Sequence, residues 1–139
     1  MDSPFVLEQT YPAPLEKVWR ALTTEDQLRA WYFPQLIKFE PVVGAAFAFA
    51  DDGSPYQKQW RVTQVIAGRK LAHSWVYEGY PGRSEVTFDL TPQGEATRLL
   101  LTHTGLASFP QEPHFARQRF ENGWQQILGS NLRKHLATQ

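Results

Sequence analysis

His103 is the residue of this sequence whose type and position best suit acid–base chemistry. It ends a run in which Leu101 and His103 alternate with residues of the opposite face, so its imidazole is expected to point into an apolar interior. An imidazole there could orient a ligand or exchange a proton near neutral pH, although the commoner role is a structural hydrogen bond to a backbone carbonyl. Its candidate partners are Glu8, Glu112 and His114, and nothing in their spacing brings them to His103. No catalytic residue is therefore assigned.

Groups that could bind a metal or a cofactor are sparse. The four histidines, at 73, 103, 114 and 135, form no pair at metal-ligand spacing, and there is no cysteine. The glycines are scattered at turns and form no loop that could cradle a phosphate. We therefore expect neither a metal site nor a cofactor.

The balance of charges argues against two classes of partner. The chain has 14 basic and 14 acidic residues, a formal net charge of zero, and no run of Lys or Arg longer than two. Nucleic-acid binding needs clustered positive charge, and binding to a membrane surface needs a basic amphipathic stretch, so we expect neither. We see no signal peptide and no apolar run long enough to span a membrane, and the lack of cysteine fits a cytoplasmic protein.

Aromatic side chains are abundant, at 14% of the sequence with five tryptophans. Such a set forms either a solid core or the lining of a small-molecule pocket, and the tryptophans favour a pocket. Trp31, in the stretch EDQLRAWYFP, is expected to be the ring that touches a ligand. The residues expected to line the pocket are Trp31, Phe33, Phe47, Phe49, Trp60, His73, Trp75, Phe88, Leu101, His103, Phe120, Trp124 and Ile127.

Alternation and turn signals predict the elements that must position these residues. Strands are expected over 4–11, 35–41, 44–50, 57–66, 70–77, 83–91 and 96–104. Two short helices follow the first strand, and a long helix runs from the loop after Gly105 to about His135. Parallel strands would need helical crossovers, for which there is no room. The fold class is therefore α+β, with a curved antiparallel sheet packed on the terminal helix in one domain over residues 1–139.

Five segments in this order resemble the START-related helix-grip (SRPBCC) superfamily, and more narrowly the family named after the activator of the heat-shock-protein-90 ATPase. They are YPAPLEKVWRALTTEDQLRAWYFP at 11–34, VGAAFAFA at 43–50, KLAHSWVY at 70–77, SEVTFDLTPQGEATRLLLTHTGL at 84–106 and GWQQILGSNLRKHL at 123–136. The resemblance implies a seven-stranded antiparallel sheet gripping a long C-terminal helix, with a hydrophobic cavity between them. The two short helices would close one end. It also favours a Gly123–Trp124 pair inside the helix and facing the cavity, over a helix that starts near Gly123.

The resemblance orders the hypotheses about function. Bacterial members of the family resemble small-molecule binders, and related groups include cyclases, antibiotic-pathway proteins and lipid carriers. We expect a binder of an apolar small molecule, and the alternative is an enzyme of the cyclase or hydrolase type that uses His103. The eukaryotic namesake stimulates a chaperone in the stress response but needs a second domain, so a chaperone partner ranks behind a ligand. An exposed edge strand would allow a homodimer.

Overall fold

The computed structural model describes residues 3–51 and 53–138. These residues contain seven strands, two short helices and a helical C-terminal part. The strands are β1 Phe5–Tyr11, β2 Leu36–Lys38, β3 Ala48–Phe49, β4 Val62–Ile66, β5 Lys70–Trp75, β6 Ser84–Gln93 and β7 Ala96–Thr104. Two short helices follow β1, α1 Leu15–Thr23 and α2 Glu25–Trp31, and two 3-10 turns follow β7, Leu106–Ser108 and Pro113–Phe115. The C-terminal part consists of α3 Arg117–Gln126, a π-helical segment Ile127–Leu132 and α4 Arg133–Ala137.

The strands form two antiparallel sheets, which corrects the expected single sheet of seven. Five pair in the order β1-β7-β6-β5-β4, and β2 pairs with β3. Between the two sheets lies an isolated bridge, Ala46 with Arg61, flanked by backbone hydrogen bonds from the Phe47 amide to the Trp60 carbonyl at 2.9 Å and from the Gly44 amide to the Val62 carbonyl at 2.8 Å. The contact between the sheets stays this short because β3 is only two residues long, Ala48–Phe49.

The five-stranded sheet buries one face, as alternation predicted. Along β6 and β7, side chains such as Val86 and Leu101 are fully buried. The opposite face carries ion pairs, for example between Arg98 and Glu8 at 2.8 Å. Because successive side chains point to opposite faces, the register of these strands fixes which residues can reach the interior.

The C-terminal helix covers the buried face. Phe120, Trp124, Leu128 and Leu132 are buried and recur every four residues, as expected for one face of a helix. The Trp124 ring lies 5.6 Å from that of Trp75 on β5, between ring centroids. Helical structure extends to Ala137, two residues beyond the predicted end.

The π-helical segment is held from β1. In a π-helix each N–H reaches the carbonyl five residues back, so a carbonyl at the boundary is left for another donor. The hydroxyl of the buried Tyr11 donates a 2.8 Å hydrogen bond to the Leu128 carbonyl. The first strand therefore fixes the helix at the point where its geometry changes.

None of the helices described is both long and apolar enough to cross a membrane.

Candidate ligand-binding site

A cavity of about 610 Å³ opens between α3 and the sheet. Its volume falls within the range usual for small-molecule sites, roughly 300–1,000 Å³. Rings from three parts of the chain form its floor: Phe33 after α2, Trp75 on β5, and Phe120 and Trp124 on α3. The rest of the lining consists of Ser54, Pro55, Tyr56, Lys58, Tyr77, His114, Arg119, Gly123 and Ile127.

The floor is rigid because its rings pack against one another. Trp75 lies 6.1 Å from Phe120 between centroids, and both are more than nine-tenths buried. The indole Nε1–H of Trp75 donates a 3.0 Å hydrogen bond to the hydroxyl of Tyr77, which also lines the cavity. Such a surface offers flat apolar contact with few polar groups.

Gly123 keeps one wall of the cavity open. It lies inside α3, which begins at Arg117, so the alternative of a helix start near Gly123 is wrong. A Cβ built on Gly123 would meet nothing within 4 Å. The role of the glycine is therefore to leave space in the cavity, since no other backbone lies close enough to require it. A glycine inside a helix lowers stability by roughly 1 kcal/mol relative to alanine.

The mouth of the cavity is polar and positively charged. The Lys58 ammonium lies 5.0 Å from the centroid of the Phe33 ring, and Arg119 stands on α3 at the cavity wall. The His114 ring stacks on Tyr56, with centroids 3.5 Å apart. Partial burial lowers the pKa of His114, and the charges of Arg119 and Lys58 lower it further.

His103 is outside the cavity lining, in a closed network of hydrogen bonds. The Nε1–H of Trp124 donates to its Nδ1 at 3.0 Å, so the ring proton must be on Nε2. That Nε2–H donates to the Ser84 hydroxyl at 2.9 Å, and the hydroxyl donates to the Trp75 carbonyl at 2.7 Å. Both ring nitrogens of His103 are therefore paired, and the side chain is fully buried.

The hydrogen bond between His103 and Ser84 runs in the wrong direction for a catalytic serine–histidine pair. A base must accept the proton of the serine hydroxyl, whereas here the imidazole donates to it. Burial, and then the charge of His73, lower the pKa of His103 to about 3, so the ring stays neutral. The geometry therefore gives the enzyme alternative no acid–base group at position 103.

His73, like His103, has both ring nitrogens in hydrogen bonds within the protein. Its Nδ1–H donates to the Ser74 carbonyl at 2.9 Å, and its Nε2 accepts from the Tyr32 hydroxyl at 3.0 Å. Burial lowers its pKa to about 4. Over residues 3–51 and 53–138, no group of three or more histidine or acidic side chains is placed to hold a metal ion.

The sequence signature of the Activator of Hsp90 ATPase homolog 1-like protein family matches residues 12–137. The chain belongs to this family. No protein with a curated description matches it. A protein of Mesorhizobium loti has a similar structure, with 28% identity, a TM-score of 0.79 and 98% of each chain covered.

Two further structures widen the comparison for this Hsp90-activator-like chain. CalU16 from Micromonospora echinospora is 27% identical with a TM-score of 0.74, covering 97% of this chain and 76% of its own. An HSP90 activator from Plasmodium falciparum is 22% identical with a TM-score of 0.74, covering 96% of each chain. At that identity the likeness shows a shared fold alone.

In this family member the predicted site residues divide into two groups. Phe33, Trp75, Phe120, Trp124 and Ile127 line the cavity. The others are not part of its lining: Trp31, Phe47, Phe49, Trp60, His73, Phe88, Leu101 and His103. Trp31 in particular is buried, and its Nε1–H donates to the Ala21 carbonyl at 2.8 Å, so the ring of EDQLRAWYFP that reaches the cavity is Phe33.

The polar side chains of the mouth were missed. Tyr56 and His114 lie outside the predicted strands and helices, where no periodicity predicts a facing direction. One signal was present in the sequence. Arg119, Gly123 and Ile127 are spaced by four residues and share a helix face, with the smallest side chain in the middle.

Proposed function

We propose that this chain binds a small apolar molecule in the cavity between α3 and the sheet. The observation that carries the proposal is an aromatic floor that borders a space of about 610 Å³, beside which Gly123 carries no side chain. An apolar floor in contact with water is unfavourable, so a ligand that covers it gains free energy by displacing that water. The proposed contacts are Phe33, Trp75, Phe120, Trp124 and Ile127. A cytoplasmic location, which the lack of cysteine favours, is part of the proposal.

A chaperone partner is less well supported. The HSP90 activator of Plasmodium falciparum shares the fold, but a partner surface needs an exposed apolar patch. On the outer face of the five-stranded sheet, Lys70 pairs with Asp89 at 3.4 Å, and the Thr63 hydroxyl donates to Glu85 at 2.7 Å. This charged and hydroxyl-bearing face favours ligand binding over a partner docked on the sheet.

Filling the cavity tests the proposal. In Gly123→Leu the new side chain enters the open space beside the floor, while leucine suits a helix better than glycine. We expect tryptophan quenching and thermal shifts by a panel of neutral and acidic apolar compounds in the natural protein. In Gly123→Leu the affinity should fall at least about tenfold, with the fold retained.

Gln125→Leu is the matched control, because Gln125 is exposed on the same helix and outside the cavity lining. It should bind as the natural protein does. Binding of unchanged strength in Gly123→Leu, or no response to any compound of the panel, would refute the proposal.

A further inference from the structure

The polar atoms at the mouth of the cavity are mainly hydrogen-bond donors. An ammonium and a guanidinium can only donate, which describes Lys58 and Arg119. Tyr77 is a donor by elimination. Its hydroxyl accepts from the Trp75 Nε1–H at 3.0 Å, and its own proton has no acceptor among residues 3–51 and 53–138. Burial raises the pKa of Tyr77, so that proton is retained at neutral pH.

Arg119 carries a charge that no described carboxylate neutralises. Arg117, two residues earlier on α3, pairs with Glu121 at 2.8 Å, whereas residues 3–51 and 53–138 place no acidic side chain within ion-pair distance of Arg119. An acidic residue that acts on this end of the cavity is the exposed Glu112. Its effect on the pKa of His114 is opposite to those of Arg119 and Lys58, and smaller than either.

The arrangement separates charge from apolar surface. The rings of Trp75, Trp124 and Phe120 are buried at the floor, while Arg119 is exposed and Lys58 is half-buried at the mouth. A ligand that matched both parts would have an apolar body and one acceptor group at its end.

We propose that the ligand is an anionic amphiphile, an apolar molecule ending in a carboxylate or a similar anionic oxygen group. Its body covers the rings of the floor, and its anionic end accepts hydrogen bonds from Lys58, Arg119 and Tyr77. This inference rests on the proposed function and specifies the ligand class of that same site.

An uncharged ligand fits this mouth less well for a physical reason. Covering the mouth removes water from the Tyr77 hydroxyl and from part of the Arg119 side chain. A donor left without an acceptor loses the hydrogen bond that water had supplied, and hydrogen bonds to charged groups are the stronger ones. An anion supplies acceptors for the Tyr77 hydroxyl and the Arg119 guanidinium together.

Two pairs of compounds test this, and in each pair the same apolar body ends in either a carboxylate or a neutral amide. They are 2-naphthoate with 2-naphthamide and decanoate with decanamide, titrated by calorimetry and by tryptophan fluorescence at pH 7.5. We expect each acid to bind at least about tenfold more tightly than its amide, and less tightly as salt is added. The ring pair and the chain pair also report which kind of apolar body the floor prefers.

Variants identify the residues responsible. Arg119→Gln and Lys58→Gln should each weaken binding of the acids about tenfold and leave the amides unchanged, because only the acids need the positive charge. Lys134→Gln is the control, since Lys134 is an exposed cation on α4 and is not in the cavity lining. It should change neither.

The outcomes separate the two proposals. The inference of an anionic ligand is overturned if acids and amides bind equally well. It is also overturned if the acids bind Arg119→Gln and Lys58→Gln as tightly as the natural protein. In both cases the proposal that the cavity binds a ligand still stands. Failure of both acids and both amides to bind overturns the cavity proposal and this inference together.

Discussion

The histidines show how position decides the chemistry of a single side chain. His103 has both ring nitrogens committed to buried partners and is held neutral, while His114 lies half-buried at the cavity mouth beside two cations. Alternation along β7 predicted that His103 faces inward. It could not show that Ser84 and Trp124 pair with both nitrogens, because those residues arrive from another strand and from α3.

His114 provides a local measure of the charge at the mouth. Since the Arg119 charge helps to lower the pKa of His114, Arg119→Gln should raise that pKa toward the ordinary value. The recovery should be partial, because burial is the larger cause and remains. Proton NMR titration of the His114 ring measures the shift, and Lys134→Gln should leave it unchanged. An unaltered pKa in Arg119→Gln would show that the guanidinium does not act at this site.

At the level of elements, strands were easier to predict than the segments between them. The range predicted for β7, 96–104, agrees with the structure, because alternation over nine residues is a strong signal. The strand predicted over 57–66 is observed only from Val62 to Ile66. Lys58 lies in the irregular part before it, and its place at the cavity mouth comes from tertiary packing, which a local pattern does not record.

Removing the hydroxyl of Tyr11 should weaken the π-helical segment. Tyr11→Phe keeps the ring, which contacts the Arg133 guanidinium 4.9 Å from its centroid, but loses the bond to the Leu128 carbonyl. We expect the free energy of unfolding to fall by about 1 kcal/mol, and by a larger amount if the Leu128 carbonyl finds no other hydrogen-bond donor. Urea denaturation measures the loss. Hydrogen exchange should quicken over residues 127–132, and an unchanged stability would contradict this role.

At the level of the whole molecule, the family resemblance predicted the α+β architecture and the helix that covers the sheet. It did not predict the division into sheets of five and two strands. That division reflects the two-residue length of β3, which alternation at Phe47 and Phe49 did not reveal. Of the aromatic set, the sequence identified which side chains are buried but not which of them border a space.

The two buried histidines should make stability depend on pH. Their pKa values are about 4 for His73 and about 3 for His103 when folded, against about 6.5 when unfolded. Below pH 6.5 the unfolded chain binds protons that the folded chain does not, so the free energy of unfolding falls as pH falls. Their contribution is complete above pH 6.5 and is lost progressively down to the folded pKa values.

Between pH 6.5 and 5.0 the two histidines together should cost about 3 kcal/mol, because the slope for each rises from half of about 1.4 kcal/mol per pH unit at pH 6.5 to nearly that full value at pH 5.0. Urea denaturation across this range measures the slope. In the folded protein, the NMR signals of His73 and His103 should not titrate above pH 5. Stability that is constant or rises as the pH falls would contradict the neutral, buried state of these rings.

The floor of the cavity is formed by core residues, whereas part of its mouth is formed by connecting segments. Trp75, Phe120 and Trp124 belong to the core, so changes there threaten folding. Tyr56 and His114 come from the segments that connect the longer strands and α3. Substitutions at Tyr56 or His114 can therefore change the polar groups at the cavity mouth while the aromatic floor, and with it the folded core, stays in place.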